Sequence, residues 1–233
     1  MSKKIVLTAT AVASVVGLVI CRPQAIVRVL RILFPNLVWD IRTSERVVAI
    51  TFDDGPDPAF TPKVLEILSR YNIKATFFMV GERVRRFPEL AEQIRDEGHC
   101  VGNHSDSWRR TVQLDNDEFE RDLLGAEHSI GSCTPPRLFR PAGGLIRTEQ
   151  IRLLWKHKYS VVLGSAYAFD PYQPPTKYIV WAITRGLKRG AIIVLHDSGG
   201  NRSNTVEALP AIIENAEKAG FRFVRLSEYI QPR

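Results

Sequence analysis

Cysteine is scarce in this chain, and what there is falls into no pattern. The three residues Cys21, Cys100 and Cys133 make neither a paired zinc-binding spacing nor a disulfide framework. A Cys100–Cys133 bridge stays open as an alternative to a buried free thiol at Cys100. No glycine-rich phosphate loop is present, since Gly143–Gly144 and Gly199–Gly200 sit in no strand–GxGxxG–helix context and mark turns. Internal repeats and low-complexity tracts are missing, and with 45% hydrophobic and 24% charged residues the chain is not disordered. Its 233 residues suffice for one domain of the α/β-barrel size class. The bulk of the chain also lacks a strong charge. Most of the net +7 lies near the N-terminus, where Lys3, Lys4, Arg22, Arg28, Arg31, Arg42 and Arg46 face only Asp40 and Glu45. A nucleic-acid partner is therefore not expected.

One long apolar run is present. Ile5–Cys21 carries no charge and is closed by Arg22, near the short end for a membrane-spanning helix and long for a signal-peptide core. No small-x-small cleavage site follows, and Ile20 is bulky for a lipid-anchor site at Cys21. Residues 1–39 are expected to form a leader with a membrane-anchor helix. The domain would then lie outside the cytoplasm, or be secreted if the leader is cleaved. The segment "AIVRVLRILFPNLVW" reads as a basic amphipathic helix on a bilayer surface, the alternative being a helix packed on the domain.

From Val47 onward short apolar runs alternate with amphipathic segments. The runs cover residues 47–52, 75–80, 99–103, 137–141, 160–165, 191–196 and 221–226. They are rich in β-branched and aromatic residues without strict alternation, as parallel strands covered on both faces are. Between them, Thr61-Pro62, Asp115…Glu118, Thr148 and Asn204…Glu207 read as helix starts, while Gly98 and Gly220 read as stops. Seven β-then-α units predict an α/β parallel barrel, one unit short of the eight in the closed form.

The chemistry-bearing residues fall where strands end. Asp53 and Asp54 follow the first run, His104 the third and Arg140 the fourth. Asp170 lies beyond the fifth, and His196 ends the sixth. Barrel active sites are built on this carboxyl-terminal face. Each residue has an ordinary explanation, such as a turn for "DDGPDP". Two adjacent carboxylates at a strand end, however, repel unless a cation joins them. His99, His128 and His157 lie in or beside strands and helices and read as structural.

The motifs "TFDDGPDP" (Thr51–Pro58), "GNH" (Gly102–His104), "FRPAGG" (Phe139–Gly144), the Asp170 loop and "VLHD" (Val194–Asp197) resemble, in order and spacing, those of polysaccharide deacetylases. This is carbohydrate esterase family four, the NodB homology domain, and the match spans residues 46–230. The resemblance implies a distorted (β/α)7 barrel and metal-assisted removal of N-acetyl groups from an envelope polysaccharide or another GlcNAc-type glycoconjugate. It implies Asp53 as general base, Arg140 as its holder, His196 as general acid and Asp170 as the partner of His196. Asp54 and His104 would hold a divalent metal, with zinc expected.

Two departures stand out. The family's metal segment reads His-x-x-x-His, whereas here Trp108 takes the second histidine's place, and an indole N–H only donates. Asp106 is a candidate replacement ligand, because i and i+2 share a face in extended chain. Around Asp170 the usual Asp-Trp is Asp170-Pro171, with Tyr167, Phe169 and Tyr172 offering other walls for a sugar or lipid-like group. Three functions follow: a deacetylase with an altered metal site, a metal-independent amide hydrolase of the same fold, or an inactive glycan-binding membrane protein. The sequence leaves the oligomeric state open.

Overall fold

The computed structural model describes residues 31–131 and 136–231. Its framework is a parallel sheet around β1 (Val47–Asp53), a strand buried along its whole length. On one side β1 pairs with β2 (Thr76–Met79), followed by β3 (Cys100–Asn103), β4 (Arg137–Phe139) and β5 (Tyr159–Val161). On the other it pairs with β7 (Ala191–His196), flanked by β6 (Ala166–Tyr167), while β8 (Arg222–Phe223) pairs with Val47 and Val48. All seven expected runs carry strands. The two-residue β6 is additional, so His196 ends β7 and Asp170 follows β6. The sheet curls into a half-barrel, with β5 and β6 as unpaired ends. The segment before β1 reaches both sides of that gap, with Val38 bridging Val162 and Asp40 bridging Ala191.

Alternation along β1 decides which side chains enter the barrel. Val48, Ile50 and Phe52 join the core beneath the helices, packing with Val64, Leu65 and Leu68 of α1 (Thr61–Arg70). Val47 and Ala49 join Phe78, Leu138, Val162 and Ile192 inside the barrel. Thr51 and Asp53 share that inward parity, so the β-period alone carries Asp53 into the interior.

The remaining helices are α2 (Gly81–Arg86), α3 (Pro88–Asp96), α4 (Asn116–Ile130), α5 (Thr148–Lys156), α6 (Thr176–Gly186) and α7 (Ser203–Lys218). Asp115 and Glu118 form the expected capping box on α4. Three other expected starts are corrected. Thr61 lies inside α1, where its hydroxyl accepts the Asp57 N–H and donates to Asp197. Thr148 is likewise inside α5, with Arg147 at the cap. Asn204 and Glu207 bind Pro174 and Thr176, tying α7 to the start of α6 instead of capping α7. Gly98 and Gly220 follow α3 and α7 with φ of +78° and +75°, as helix stops do.

The uncharged run Ile5–Cys21 lies outside the described residues, as does Cys133. Among the described residues no helix is long and apolar enough to cross a membrane. The end of the basic amphipathic segment divides in two. Ile32 and Leu33 are exposed, whereas Leu37 and Trp39 are buried against Phe139, Tyr159 and Val161. Cys100 is a free, half-buried thiol, less enclosed than expected.

Candidate active site

The turn after β1 separates the two adjacent carboxylates. Asp53, 3% exposed, keeps the strand's inward direction and accepts a 2.7 Å hydrogen bond from Arg140 Nη1 on its Oδ1. Asp54 takes φ +74°, a left-handed conformation that Asp tolerates better than most residues, and this turns its side chain toward the end of β3. There its Oδ1 lies 3.3 Å from His104 Nε2.

Arg140 is buried just beyond β4. The same Nη1 donates to Thr51 Oγ1 at 2.6 Å, and the guanidinium lies over the Phe78 ring at 4.1 Å. Burial lowers the Arg140 pKa against the pull of Asp53. An arginine so lowered remains charged at neutral pH, and it neutralises Asp53 inside the barrel.

His104 Nδ1 lies 2.8 Å from the Arg140 carbonyl oxygen. A carbonyl only accepts, so Nδ1 carries a proton and donates; Nε2 faces Asp54, donating to its carboxylate when the ring is protonated and leaving a lone pair for an ion when it is neutral. Burial opposes charging of this ring, but Asp53 and Asp54 outweigh it and raise its pKa. For Asp54 burial works upward, yet His104, His196 and Arg202 bring its pKa below the ordinary value.

His196 ends β7 opposite Asp53, with its Nε2 4.0 Å from Asp53 Oδ2. Its Nδ1 lies 2.9 Å from Asp170 Oδ1, while Asp170 Oδ2 accepts the His196 backbone N–H and the Thr205 hydroxyl. Burial pulls the His196 pKa down, but Asp170 reverses this with help from Asp54 and Asp53, raising it to about 9. Tyr167 stacks edge-on against both Phe169 and His196.

Asp53, Asp54, His104, Arg140 and His196 line one cavity of ≈ 470 Å³. Its other walls include Trp39, Leu145, Tyr167, Phe169 and Tyr172. Sequence reasoning did not place Trp39 or Arg110 on this wall. Trp39 sits in a run whose apolarity pointed to a membrane surface. Asp197, read from the sequence only as a member of the "VLHD" motif, is buried beside His196; burial raises its pKa to about 7, against the Thr61 hydrogen bond.

Asp106 is not brought to the site. Both of its oxygens take Arg85 Nη groups, at 2.6 and 3.0 Å, and the side chain fits against Gly81 and Gly125 between α2 and α4. The segment is not extended there, since Ser105 has φ +74° and breaks the shared face that the i, i+2 argument needs. Trp108 borders the site instead. A Cβ built on Gly199 would lie 2.9 Å from Asp54 Oδ2 and 3.1 Å from Trp108 Cζ3. His99 is structural: its Nδ1 accepts the Ala75 N–H, and burial lowers its pKa to about 4. His157 bonds Glu120 at 2.6 Å.

A profile of the polysaccharide deacetylase family matches residues 40–162. The chain belongs to that family. It is 39% identical over 199 residues to a peptidoglycan-N-acetylglucosamine deacetylase of Bacillus cereus, covering 84% of this chain and 93% of that one. The crystal structure of the Bc1960 peptidoglycan N-acetylglucosamine deacetylase is similar at TM-score 0.80 and 31% identity, covering 84% of this chain and 92% of that one. A mutant of BA3943, a family-four pseudoenzyme with restored enzymatic activity, is similar at TM-score 0.76 and 26% identity, covering 84% and 71%. This polysaccharide deacetylase is accordingly a hydrolase of carbon–nitrogen amide bonds.

The family's divalent metal can be tested against the residues present. An oxygen and a nitrogen donor, Asp54 and His104, converge, and the Arg140 carbonyl fixes the histidine in the tautomer a ligand needs. Among the described residues no group of three or more His, Cys, Asp or Glu side chains gathers there. The pair would supply two protein ligands to such an ion. That is one protein ligand fewer than catalytic zinc sites usually have.

Proposed function

We propose that this polysaccharide deacetylase removes N-acetyl groups from GlcNAc units of an envelope polysaccharide, with Asp53 as general base and His196 as general acid. The observation that carries this reading is the opposition of two buried, separately supported groups across one cavity. Asp53 is paired with the Arg140 guanidinium at 2.7 Å, and His196 is held protonated by Asp170.

Asp53 takes a proton from water as the water oxygen adds to the acetamide carbonyl carbon. His196 then gives its Nε2 proton to the amide nitrogen as the carbon–nitrogen bond breaks, releasing acetate and a free amine. Without that proton the nitrogen is a poor leaving group, so an acid that stays charged at neutral pH suits the step. Asp54 and His104 are the residues that would hold a divalent ion, zinc being expected. When bound, such an ion supplies Lewis acidity toward the carbonyl oxygen and lowers the pKa of the attacking water.

A second reading keeps Asp53, Arg140 and His196 and dispenses with the metal. The observation favouring it is Trp108 beside Asp54, where a third ligand would help. Treatment with a strong chelator separates the two. Acetate release that stops and returns with zinc supports the metal-assisted reading, and release that continues unchanged supports the other.

The reading also takes the apolar segment ahead of Leu37, the residue at which the chain enters the core, as a membrane tether holding the domain outside the cytoplasm. Its support is the uncharged run Ile5–Cys21 and the exposed Ile32 and Leu33. Recovery of the full-length protein in the soluble fraction after cell breakage would overturn this.

A further inference from the structure

Trp108 has a role beyond the ligand it displaces. The geometry points to this side chain as a sugar-stacking platform for the pyranose next to the one being deacetylated. The inference rests on the deacetylase reading for the position of the acetyl-bearing sugar.

The indole is 45% exposed and belongs to none of the core clusters among the described residues. It is held in place nonetheless. The Arg83 guanidinium lies 5.9 Å from the ring centre, and Arg83 is fixed by the Pro56 carbonyl at 3.0 Å and by an ion pair with Asp57. The inner edge of the ring meets Gly199, where φ is +80° and an added Cβ would stand 3.1 Å from Cζ3. The indole therefore has a supported side, a fixed edge next to Asp54 and an open remainder.

A pyranose presents axial C–H groups on its face and hydroxyls around its rim. A flat, amphipathic ring beside a polar site matches that pattern. Tyr172, 78% exposed, stands on the cavity wall formed by the turn that carries Asp170. Two exposed aromatic rings thus accompany the carboxylates, one in the cavity wall and one bordering Asp54. A single sugar occupying the cavity would leave Trp108 uncovered; a chain would use it.

The test uses the full chain with Asp53→Asn throughout, so that bound oligosaccharide is not turned over. Affinities for chitobiose and chitohexaose are measured by calorimetry, with and without Trp108→Ala or Trp108→Phe. The expected result is tighter binding of the hexamer, with about tenfold of that advantage lost in Trp108→Ala and mostly kept in Trp108→Phe. Unchanged melting temperatures establish that the variants fold. Equal losses for dimer and hexamer, no loss for either, or no hexamer binding before substitution would overturn the inference. So would a dimer of this chain that Trp108→Ala dissociates. Trp108-dependent hexamer binding without acetate release by the wild type would uphold the platform and sink the deacetylase reading.

Discussion

His196 and Asp170 are joined twice: Asp170 Oδ1 meets His196 Nδ1 at 2.9 Å, and Oδ2 takes the same residue's backbone N–H at 2.9 Å. The carboxylate fixes both the ring and the strand end that carries it. The His196 pKa is raised from 6.5 to about 9. Because the folded value is the higher one, the stabilisation is fully present below pH 6.5 and is lost as pH rises through about 9. The same proton is the one given to the leaving amine. The alkaline limb of the kcat/KM profile should therefore follow His196, and Asp170→Asn should move it to lower pH while reducing kcat by about a hundredfold. A full pH profile of both proteins checks this; an unmoved alkaline limb would contradict it.

Trp108→His should add a nitrogen donor beside the Asp54–His104 pair. The indole edge and Asp54 Oδ2 both lie within about 3 Å of one point above Gly199, so a side chain at position 108 is directed toward the Asp54–His104 pair. Calorimetry on metal-stripped protein should show zinc affinity rising by at least about tenfold. Equal zinc affinity in both proteins would mean that position 108 does not face the ion.

Asp106 gives the opposite expectation. Its carboxylate joins Arg85 between α2 and α4, away from His104. Asp106→Ala should lower stability by about 1 kcal/mol, the upper end for surface ion pairs, because the arginine is half exposed and the carboxylate half-buried, and should leave zinc affinity unchanged. Denaturant melts and zinc titration of one preparation read both quantities. A large loss of zinc affinity would place Asp106 on the ion after all.

The sequence made the framework readable where burial is two-sided, because strands such as β1 and β7 must then be continuous apolar runs. It could not disclose β6, whose two residues are strand only by pairing with Ile193 and Val194. The residues of the site were readable as strand-end polar groups, and Asp53, Asp54, His104, Arg140 and His196 do line one cavity. Asp106 failed because its direction depends on the φ of Ser105, which no spacing rule contains. Trp39 escaped because a buried indole on a cavity wall and one at a membrane surface look alike in sequence. Thr61 was misread for a similar reason: a hydroxyl before a proline suggests a cap, but the nearby Asp197 acceptor claims it.

The central claim is that Asp53, paired with Arg140, takes the proton from the attacking water. The most direct test is acetate released from chitohexaose by the wild type and by Asp53→Asn, which keeps the shape and removes the charge. The account predicts steady release by the wild type and a fall of at least about a hundredfold in the variant, with the fold intact by circular dichroism. Equal rates in the two proteins would contradict it.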